Sequence, residues 1–255
     1  MKRIQLFEFE DLHWFPSWLR ADMTKLIVVL QKMMGVTSVL SKLIADILIK
    51  NKIRHIVDLG SGAGGVMPDV LRNIHQDYGL EEGDLTMSDQ YPDRKVIASF
   101  NMMADNCIRY AEKPLDATNL RNAPDGLKTM VNCFHHMPPK QAISILKSAE
   151  SNNQPLLIYE MAENNIPLLI WWLLLPLSLV ILMIMVLFMT PFVKPLTWKQ
   201  LFFTYVIPII PICYAWDGQA SLPRMYTLKD MDILLEGLGS KRYRWEKGIV
   251  KKSNN

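Results

Sequence analysis

The sequence predicts an α/β fold with a mostly parallel sheet and an apolar helical insert after the fifth strand. Strand-like and helix-like patterns alternate between residues 38 and 160, a glycine-rich turn follows the first strand, and a charge-free stretch then interrupts the alternation. Strands separated by helices need crossover connections, and these join parallel strands. The predicted strands cover residues 54–59, 84–88, 108–110, 128–133 and 155–159.

Helices are predicted from apolar residues at helical spacing and from proline in the first turn. After the insert, Thr227 is the expected cap of a last helix, and residues 241–247 alternate like a further strand with Tyr243 and Trp245 on one face. The predicted helices cover residues 17–34, 38–50, 68–78, 92–104, 139–148 and 227–237.

Composition argues against several classes of function. The formal net charge is only +3, and no block of like charges offers a basic face for nucleic acid. Cys107, Cys133 and Cys213 are far apart and form no CxxC pair, so no metal site is predicted. They suit reduced thiols, and we therefore expect the α/β domain to face the cytoplasm. The charged N-terminus predicts no cleaved signal peptide.

Residues 167–190 carry no charged side chain. About 24 residues at about 1.5 Å each make a helix of about 36 Å, which is enough to cross a hydrocarbon core of about 30 Å. A buried helix in a soluble domain of this size would contain some polar interruption. The stretch therefore predicts a transmembrane helix, with the lipid bilayer as a partner.

A second apolar run, residues 201–216, contains two prolines and predicts either a marginal span or a re-entrant segment. If the sheet is completed after the insert, both ends of the insert lie on one side of the membrane, so the number of crossings is even. The insert, residues 165–222, is then a membrane hairpin. Asp217 begins a turn signal just beyond the second run.

The first 36 residues are predicted to form a separate segment that mixes aromatic and charged side chains. Its helix either packs an apolar stripe on the domain core or lies at the membrane interface. By position, Glu10, His13 and Trp14 are candidates for a lid over the pocket.

The strongest local motif runs from Asp58 to Gly65, where an apolar strand enters a glycine-rich turn and a helix follows. Glycine lets the backbone turn sharply and approach a ligand, and the helix start offers free N–H groups. Two spacings overlap here. Gly60, Gly62 and Gly65 fit the dinucleotide fingerprint G-x-G-x-x-G, whereas Gly60, Gly62 and Gly64 fit (D/E)-x-G-x-G-x-G with Asp58 as the acid.

Polar pairs follow the next two strands. Asp89 and Gln90 end the second strand, where either nucleotide cofactor would place its ribose hydroxyls. Asp116 and Ala117 follow the third strand. The alternatives are a helix-capping role for Asp89 and a loop-capping role for Asp116.

With these motifs, the chain resembles the class I S-adenosylmethionine-dependent methyltransferase family over residues 38–160 and 226–250. The resemblance implies a Rossmann-like, seven-stranded sheet with helices on both faces, and S-adenosylmethionine (SAM) as cofactor. In that family the glycine turn wraps the methionyl group, and an Asp-Ala pair after the third strand accepts from the adenine amino group. The implied cofactor-binding residues are Asp58, Gly60, Ser61, Gly62, Gly64, Asp89, Gln90, Asp116, Ala117 and Cys133.

His135 and His136 follow the fourth strand, where related enzymes often carry such a pair beside the methyl-transfer site. An oxygen or carbon nucleophile needs a base of near-neutral pKa, so one imidazole is the predicted base, with a structural histidine as the alternative. Glu160, at the end of the fifth strand, is a second catalytic candidate. The Asn-Pro-Pro-Tyr motif of enzymes that methylate amides and exocyclic amines is absent, which favours O- or C-methylation.

The sequence thus predicts a SAM-dependent methyltransferase acting on a hydrophobic or membrane-embedded acceptor such as a lipid, quinone or isoprenoid. The alternatives are a membrane-associated NAD(P)-dependent oxidoreductase and a non-catalytic membrane scaffold. No oligomeric state is predicted. The predicted parts are an N-terminal segment (1–36), a methyltransferase domain (37–164 with 223–250), the membrane hairpin (165–222) and a tail (251–255).

Overall fold

The computed structural model describes Met1 and residues 3–103, 105–163 and 165–250, and the predicted tail lies outside these residues. Within them, a five-stranded sheet forms, and each strand lies within two residues of its predicted position. The strands are β1 (His55–Leu59), β2 (Asp84–Ser88), β3 (Ile108–Tyr110), β4 (Leu127–Val131) and β5 (Leu156–Tyr159).

All neighbouring strands are parallel, and their order is β3-β2-β1-β4-β5. The chain moves outward from β1 to β3 and then returns to the other side of β1, so the order reverses between β1 and β4. This is the order of a doubly wound, Rossmann-like sheet, in which ligands bind at the carboxyl ends of the strands beside the reversal. The predicted parallel α/β fold is confirmed.

Helices connect the strands and form the insert. In chain order they are α1 (Ser17–Met34), α2 (Val36–Asn51), α3 (Met67–Tyr78), α4 (Arg94–Asn101), α5 (Pro139–Ser151), α6 (Leu168–Met189), α7 (Trp198–Tyr205), α8 (Ile209–Arg224) and α9 (Leu228–Leu234). Helix α4 begins later than predicted because Asp93 caps it, accepting hydrogen bonds from the N–H groups of Lys95 and Val96.

Both faces of the sheet are covered. Successive side chains of a strand point to opposite faces, so Ile56 packs in a core with α2 and α3, whereas Val57 packs in a second core with α5 and α9. Both side chains are fully buried. This explains why β1 reads as a continuous apolar run in the sequence.

The predicted strand at residues 241–247 does not form, and the sheet of the described residues has five strands rather than seven. Tyr243 and Trp245 do pack against the second core, as their alternation indicates. However, Tyr243 reaches the edge of the sheet with its side chain, whose hydroxyl donates to the Gln154 carbonyl at 2.8 Å. A turn in which the Tyr243 N–H donates to the Ser240 carbonyl redirects the backbone, so no ladder with β5 forms.

The first arm of the insert is α6, which continues into a short 3-10 helix. Among the described residues, one helical segment, Leu168–Phe192, is both long enough and apolar enough to cross a membrane. Its buried side chains, Trp171, Leu175, Val186 and Met189, form one stripe that faces the protein. The remaining surface exposes large apolar side chains to the surroundings, including Leu169, Leu173 and Phe188.

The second arm differs from a simple return span. Helices α7 and α8 meet at an angle of 77° across a break that contains Pro208, and α8 then runs back along α6. Helix length therefore supports one crossing of the predicted hairpin, that of α6, and does not establish the second. The turn predicted at Asp217 is also wrong, because α8 continues through it to Arg224. The Asp217 carboxylate is satisfied by the N–H groups of Phe9 and Glu10 instead of by a turn.

Helix α1 packs on the insert rather than on the core of the sheet. Leu19, Met23 and Leu26 are buried in a third cluster with Val186 of α6 and Tyr214 of α8. The N-terminal segment therefore joins the apolar insert to the α/β domain.

Candidate active site

The glycine-rich turn lies at the carboxyl end of β1, beside the reversal of strand order. Asp58 is 4% exposed. Its carboxylate accepts hydrogen bonds from the Ser61 hydroxyl at 2.6 Å and from the Thr129 hydroxyl of β4 at 2.7 Å. Ser61 also accepts the N–H of Ser88 at 3.1 Å. These bonds fix the turn between the ends of β1, β2 and β4.

The glycines of the turn adopt conformations that favour glycine. The φ angles of Gly60, Gly62, Gly64 and Gly65 are 74°, 51°, 121° and 54°. A Cβ on Gly64 would lie 2.6 Å from the ring of Phe100, whereas a Cβ on Gly62 or Gly65 would meet nothing within 4 Å. The turn is thus closed on its protein side and open in front of Gly62, as a cofactor that lies against backbone requires.

Asp89 lies directly beside this turn. One of its carboxylate oxygens accepts the Gly62 N–H at 3.0 Å, and the other accepts the Tyr91 N–H at 2.8 Å. Gln90 is exposed. Asp89 therefore does not cap α4, a role that Asp93 takes.

The loop after β3 approaches the end of β2, because the Leu115 N–H donates to the Asp89 carbonyl at 3.0 Å. Asp116 is exposed, and its carboxylate accepts the N–H and the hydroxyl of Thr118, both at 2.8 Å. This is a loop cap, the alternative role considered for this residue. Ala117 packs against the core of the α5 face.

Cys133 follows β4 and lies beside the glycine turn. Its sulfur lies 3.3 Å from the position of a Cβ on Gly60, so a larger residue at Gly60 would collide with it. Burial raises the pKa of the Cys133 thiol well above its usual value, and the charges of Glu160 and Asp58 raise it further. The thiol is therefore neutral and forms an apolar wall.

Burial raises the pKa of Asp58 to about 6. The hydrogen bonds from Ser61 and Thr129 lower the pKa, but they do not offset desolvation, and the charge of Asp89 raises it again. Asp58 therefore changes its protonation state close to neutral pH.

His135 is held by Glu160, as the neighbouring ends of β4 and β5 allow. The backbone N–H of His135 donates to one carboxylate oxygen of Glu160 at 3.0 Å. The ring Nδ1 of His135 lies within hydrogen-bond distance of the other oxygen, also at 3.0 Å. The His135 ring is almost completely buried, at 3% exposure, and its Nε2 has no hydrogen-bond partner. If Nδ1 carries the proton and donates it to Glu160, Nε2 presents a lone pair.

His136 stacks beside His135, with ring centroids 4.2 Å apart, and faces three acidic side chains from the N-terminal segment. Its Nδ1 lies 2.8 Å from Asp11 and 3.3 Å from Glu8, and its Nε2 lies 3.4 Å from Glu10. Of the three predicted lid residues, Glu10 thus reaches the histidines, whereas His13 and Trp14 are exposed.

Arg224, at the end of α8, balances part of this negative charge. Its guanidinium group is fully buried and lies 2.9 Å from Glu8 and 2.7 Å from Asp11. Arg3 donates to the carbonyls of Arg224 and His135. Sequence reasoning missed Glu8, Asp11, Arg3 and Arg224, because each is an ordinary charged residue far along the chain from the histidines.

The pKa values of Glu8 and Asp11 shift in opposite directions, although only Glu8 is fully buried. Burial raises the pKa of Glu8 to about 7, although the charges of His136 and Arg224 act against it. Burial also acts to raise the pKa of Asp11, but the hydrogen bond and charge of His136, together with Arg224, outweigh burial and lower the pKa to about 2. Asp11 is therefore the charged partner of His136 at neutral pH.

No protein-family model and no curated protein matches this chain. Solved structures with a similar fold include three of the plantazolicin methyltransferase BpumL in complex with SAH, two of which also contain a desmethylPZN analog. Their sequence identities to this chain are 15%, 14% and 13%, with TM-scores of 0.42, 0.45 and 0.43. Each alignment covers 87% of this chain, and they cover 62%, 75% and 77% of the other chains. The chain thus spans about three fifths of the length of the first.

Proposed function

We propose that this chain is a SAM-dependent methyltransferase that modifies an oxygen or carbon atom of a hydrophobic, membrane-dissolved acceptor of the lipid, quinone or isoprenoid class. The proposal joins two parts of the molecule. The glycine turn and Asp89 are assigned to the cofactor, and the histidine pair with the apolar insert is assigned to the acceptor.

The cofactor assignment is supported by the open face of the turn. Gly62 has free space in front of it, and Asp89 lies beside it with oxygens that can accept from ribose hydroxyls. When bound, SAM supplies a methyl group that its sulfonium has already activated. The task of the chain is then to align the two reactants, exclude water and handle the proton of the acceptor.

One observation carries the acceptor assignment: the apolar helix starts at the same edge of the sheet as the histidine site. Glu160 immediately follows β5 and holds His135, and α6 begins only a short loop later, at Leu168. Loops at the carboxyl ends of parallel strands line the ligand crevice of such sheets. A bilayer around α6 would therefore place lipid-phase molecules close to the histidines.

His135 and Glu160 are the acceptor-side groups. With its Nδ1 held by Glu160, an imidazole presents Nε2 to a proton or to a cation. Glu8, Glu10 and Asp11 of the N-terminal segment lie against His136 on this side. We place the catalytic domain on the cytoplasmic side, in keeping with its unpaired cysteines.

The test is methyl transfer from labelled SAM to total membrane lipid, using the full chain in lipid nanodiscs and identifying the product by mass. We expect a labelled lipid-soluble product. Transfer to water-soluble acceptors with none to lipid extracts would contradict the acceptor class.

A matched pair of glycine variants tests the cofactor assignment. Gly62→Ala and Gly79→Ala both place a Cβ at positive φ (51° and 66°) with nothing within 4 Å, so both strain the backbone similarly. Only Gly62 faces the proposed cofactor. We expect Gly62→Ala to abolish binding of S-adenosylhomocysteine (SAH) in calorimetric titration and Gly79→Ala to retain it. Binding of NADH in place of SAH would favour the oxidoreductase alternative. The dinucleotide spacing uses Gly65 as its third glycine, and Gly65 also has a positive φ.

A further inference from the structure

The residues around the histidine pair form a group with the composition of a metal site. Among the described residues, Glu8, His135 and His136 each offer one ligand atom, and these three atoms lie within 4.8 Å of one another. Glu8 and His135 are buried, and His136 is largely buried. A tetrahedral ion with ligands at about 2.1 Å holds them about 3.4 Å apart, so ligand pairs at the upper limit of separation must approach by about 1.4 Å when an ion binds.

His135 has the environment of a metal-binding histidine. Such residues usually donate the N–H of one ring nitrogen to a carboxylate, which orients the ring and leaves the other nitrogen for the metal. Glu160 occupies that position on Nδ1. The other nitrogen, Nε2, is buried and has no hydrogen-bond partner, which is costly for a polar atom in a protein interior.

Glu8 is arranged in the same way. One of its carboxylate oxygens is engaged by Arg224 at 2.9 Å and by the Ser221 hydroxyl at 3.0 Å. The other oxygen is buried, accepts no hydrogen bond and lies 3.3 Å from Nδ1 of His136. Two buried acceptor atoms, one from Glu8 and one from His135, are thus left for a further partner.

The charges around the group favour a cation. Four carboxylates touch the two histidines, and two guanidinium groups contact the same cluster. The carboxylates belong to Glu8, Glu10, Asp11 and Glu160, and the guanidinium groups belong to Arg3 and Arg224. With Glu8 ionised and the imidazoles neutral, two negative charges remain uncompensated beside the buried side chains of Glu8 and His135, which a divalent ion would neutralise.

We propose that Glu8, His135 and His136 bind a divalent first-row transition-metal ion, with zinc as the reference case. Two imidazoles and one carboxylate suit zinc and its neighbours better than magnesium or calcium, which prefer all-oxygen sites. Three protein ligands leave a coordination position open. This position can hold an acceptor oxygen if the proposed function is right, and only this catalytic use of the ion rests on that function.

The experiment measures binding of zinc alone. Untagged full-length chain in detergent is stripped with a chelator and titrated with Zn²⁺ by calorimetry, and the bound metal is counted by elemental analysis. We expect one ion per chain. Loading with Co²⁺ should give visible absorption bands of nitrogen and oxygen ligation without thiolate charge transfer, since Cys133 is not a ligand.

Variants locate the site. Glu8→Gln and His135→Gln should each weaken zinc binding by more than about 100-fold, and Glu160→Gln by about 10–100-fold, because it only orients His135. His13→Gln is the matched control: it removes an exposed imidazole outside the group and should leave binding unchanged. A far-UV circular dichroism spectrum like that of the wild type shows, for every variant, that the chain is folded.

Two results would overturn the proposal: wild-type chain that binds no stoichiometric ion, or Glu8→Gln and His135→Gln variants that bind zinc as the wild type does. The outcome is separable from the proposed function. A chain that binds SAH and transfers methyl groups but binds no stoichiometric zinc would refute the metal site alone. Stoichiometric zinc without SAH binding would refute the methyltransferase proposal alone.

Discussion

Arg224 and Glu8 form an ion pair at 2.9 Å in which both side chains are fully buried. Arg224 ends α8 of the apolar insert, and Glu8 belongs to the N-terminal segment. Because Glu8 also lies 3.3 Å from His136, this pair joins the insert, the N-terminal segment and the end of β4 in one cluster. Breaking a buried ion pair at one partner leaves the other charge unpaired, so the pair is a sensitive point of the fold.

Replacing Arg224 by leucine should therefore lower the free energy of unfolding by about 3–5 kcal/mol. Denaturant unfolding in detergent, followed by tryptophan fluorescence, measures the change. Arg244→Leu is the control, since Arg244 is exposed and its pair with Glu246 is long, at 3.6 Å. This control should change the free energy by less than about 0.5 kcal/mol. Equal losses of unfolding free energy in both variants would mean that the buried pair contributes no more to stability than the exposed pair.

Asp58 predicts a pH dependence of stability in the cofactor-free chain. Its pKa is raised from 3.8 to about 6 on folding, so the folded state binds the proton more tightly than the unfolded state. The resulting stabilisation is fully present below the unfolded pKa and is lost as the pH rises through about 6. Asp58→Asn removes this titration.

Relative to Asp58→Asn, the wild-type chain should lose about 2–3 kcal/mol of unfolding free energy between about pH 4 and about pH 8. Urea unfolding of both proteins across this range measures the difference. Parallel pH profiles for the two proteins would show that Asp58 does not titrate as its burial implies.

Asp89 should contribute to cofactor affinity through its charge. Asp89→Asn keeps the shape of the side chain but removes the anionic acceptor beside Gly62. Hydrogen bonds to charged groups are worth about 1.5–3 kcal/mol, so we expect SAH affinity to fall about 10–100-fold in calorimetric titration. Asp93→Asn makes the same chemical change close by, at a cap where asparagine serves equally well, and should leave the affinity unaltered. A similar loss in both variants would argue against a direct role for Asp89.

The exposed apolar surface of α6 should behave as a lipid-facing surface. Ile181 lies near the middle of the helix and is half exposed. An arginine there costs about 2.5–3.5 kcal/mol on insertion into a bilayer, so Ile181→Arg should shift the chain out of the carbonate-washed membrane fraction. Ile143→Arg, on the exposed face of α5, is the control and should remain membrane-bound. Unchanged membrane retention of Ile181→Arg would contradict a spanning α6.

The strands of the sheet could be read from local sequence because each is short, apolar and bounded by polar turns. Val57 and Ile56 are buried on opposite faces, so even the lack of alternation in β1 carried information. The prediction of a sixth strand at residues 241–247 was wrong for a physical reason. The alternation of Tyr243 and Trp245 indicates that one face of the segment is buried, but it carries no information about backbone pairing. The turn at Asp217 failed because residues far away in the chain, Phe9 and Glu10, satisfy its carboxylate.

The sequence alone determined the parallel α/β fold, the glycine turn with Asp58 and the apolar helix α6, because each depends on residues that are neighbours along the chain. Only the tertiary structure decided that Glu8, Asp11 and Arg224 surround the histidine pair. Charge pairing in a buried cluster depends on which distant segments meet, and no local periodicity encodes that meeting.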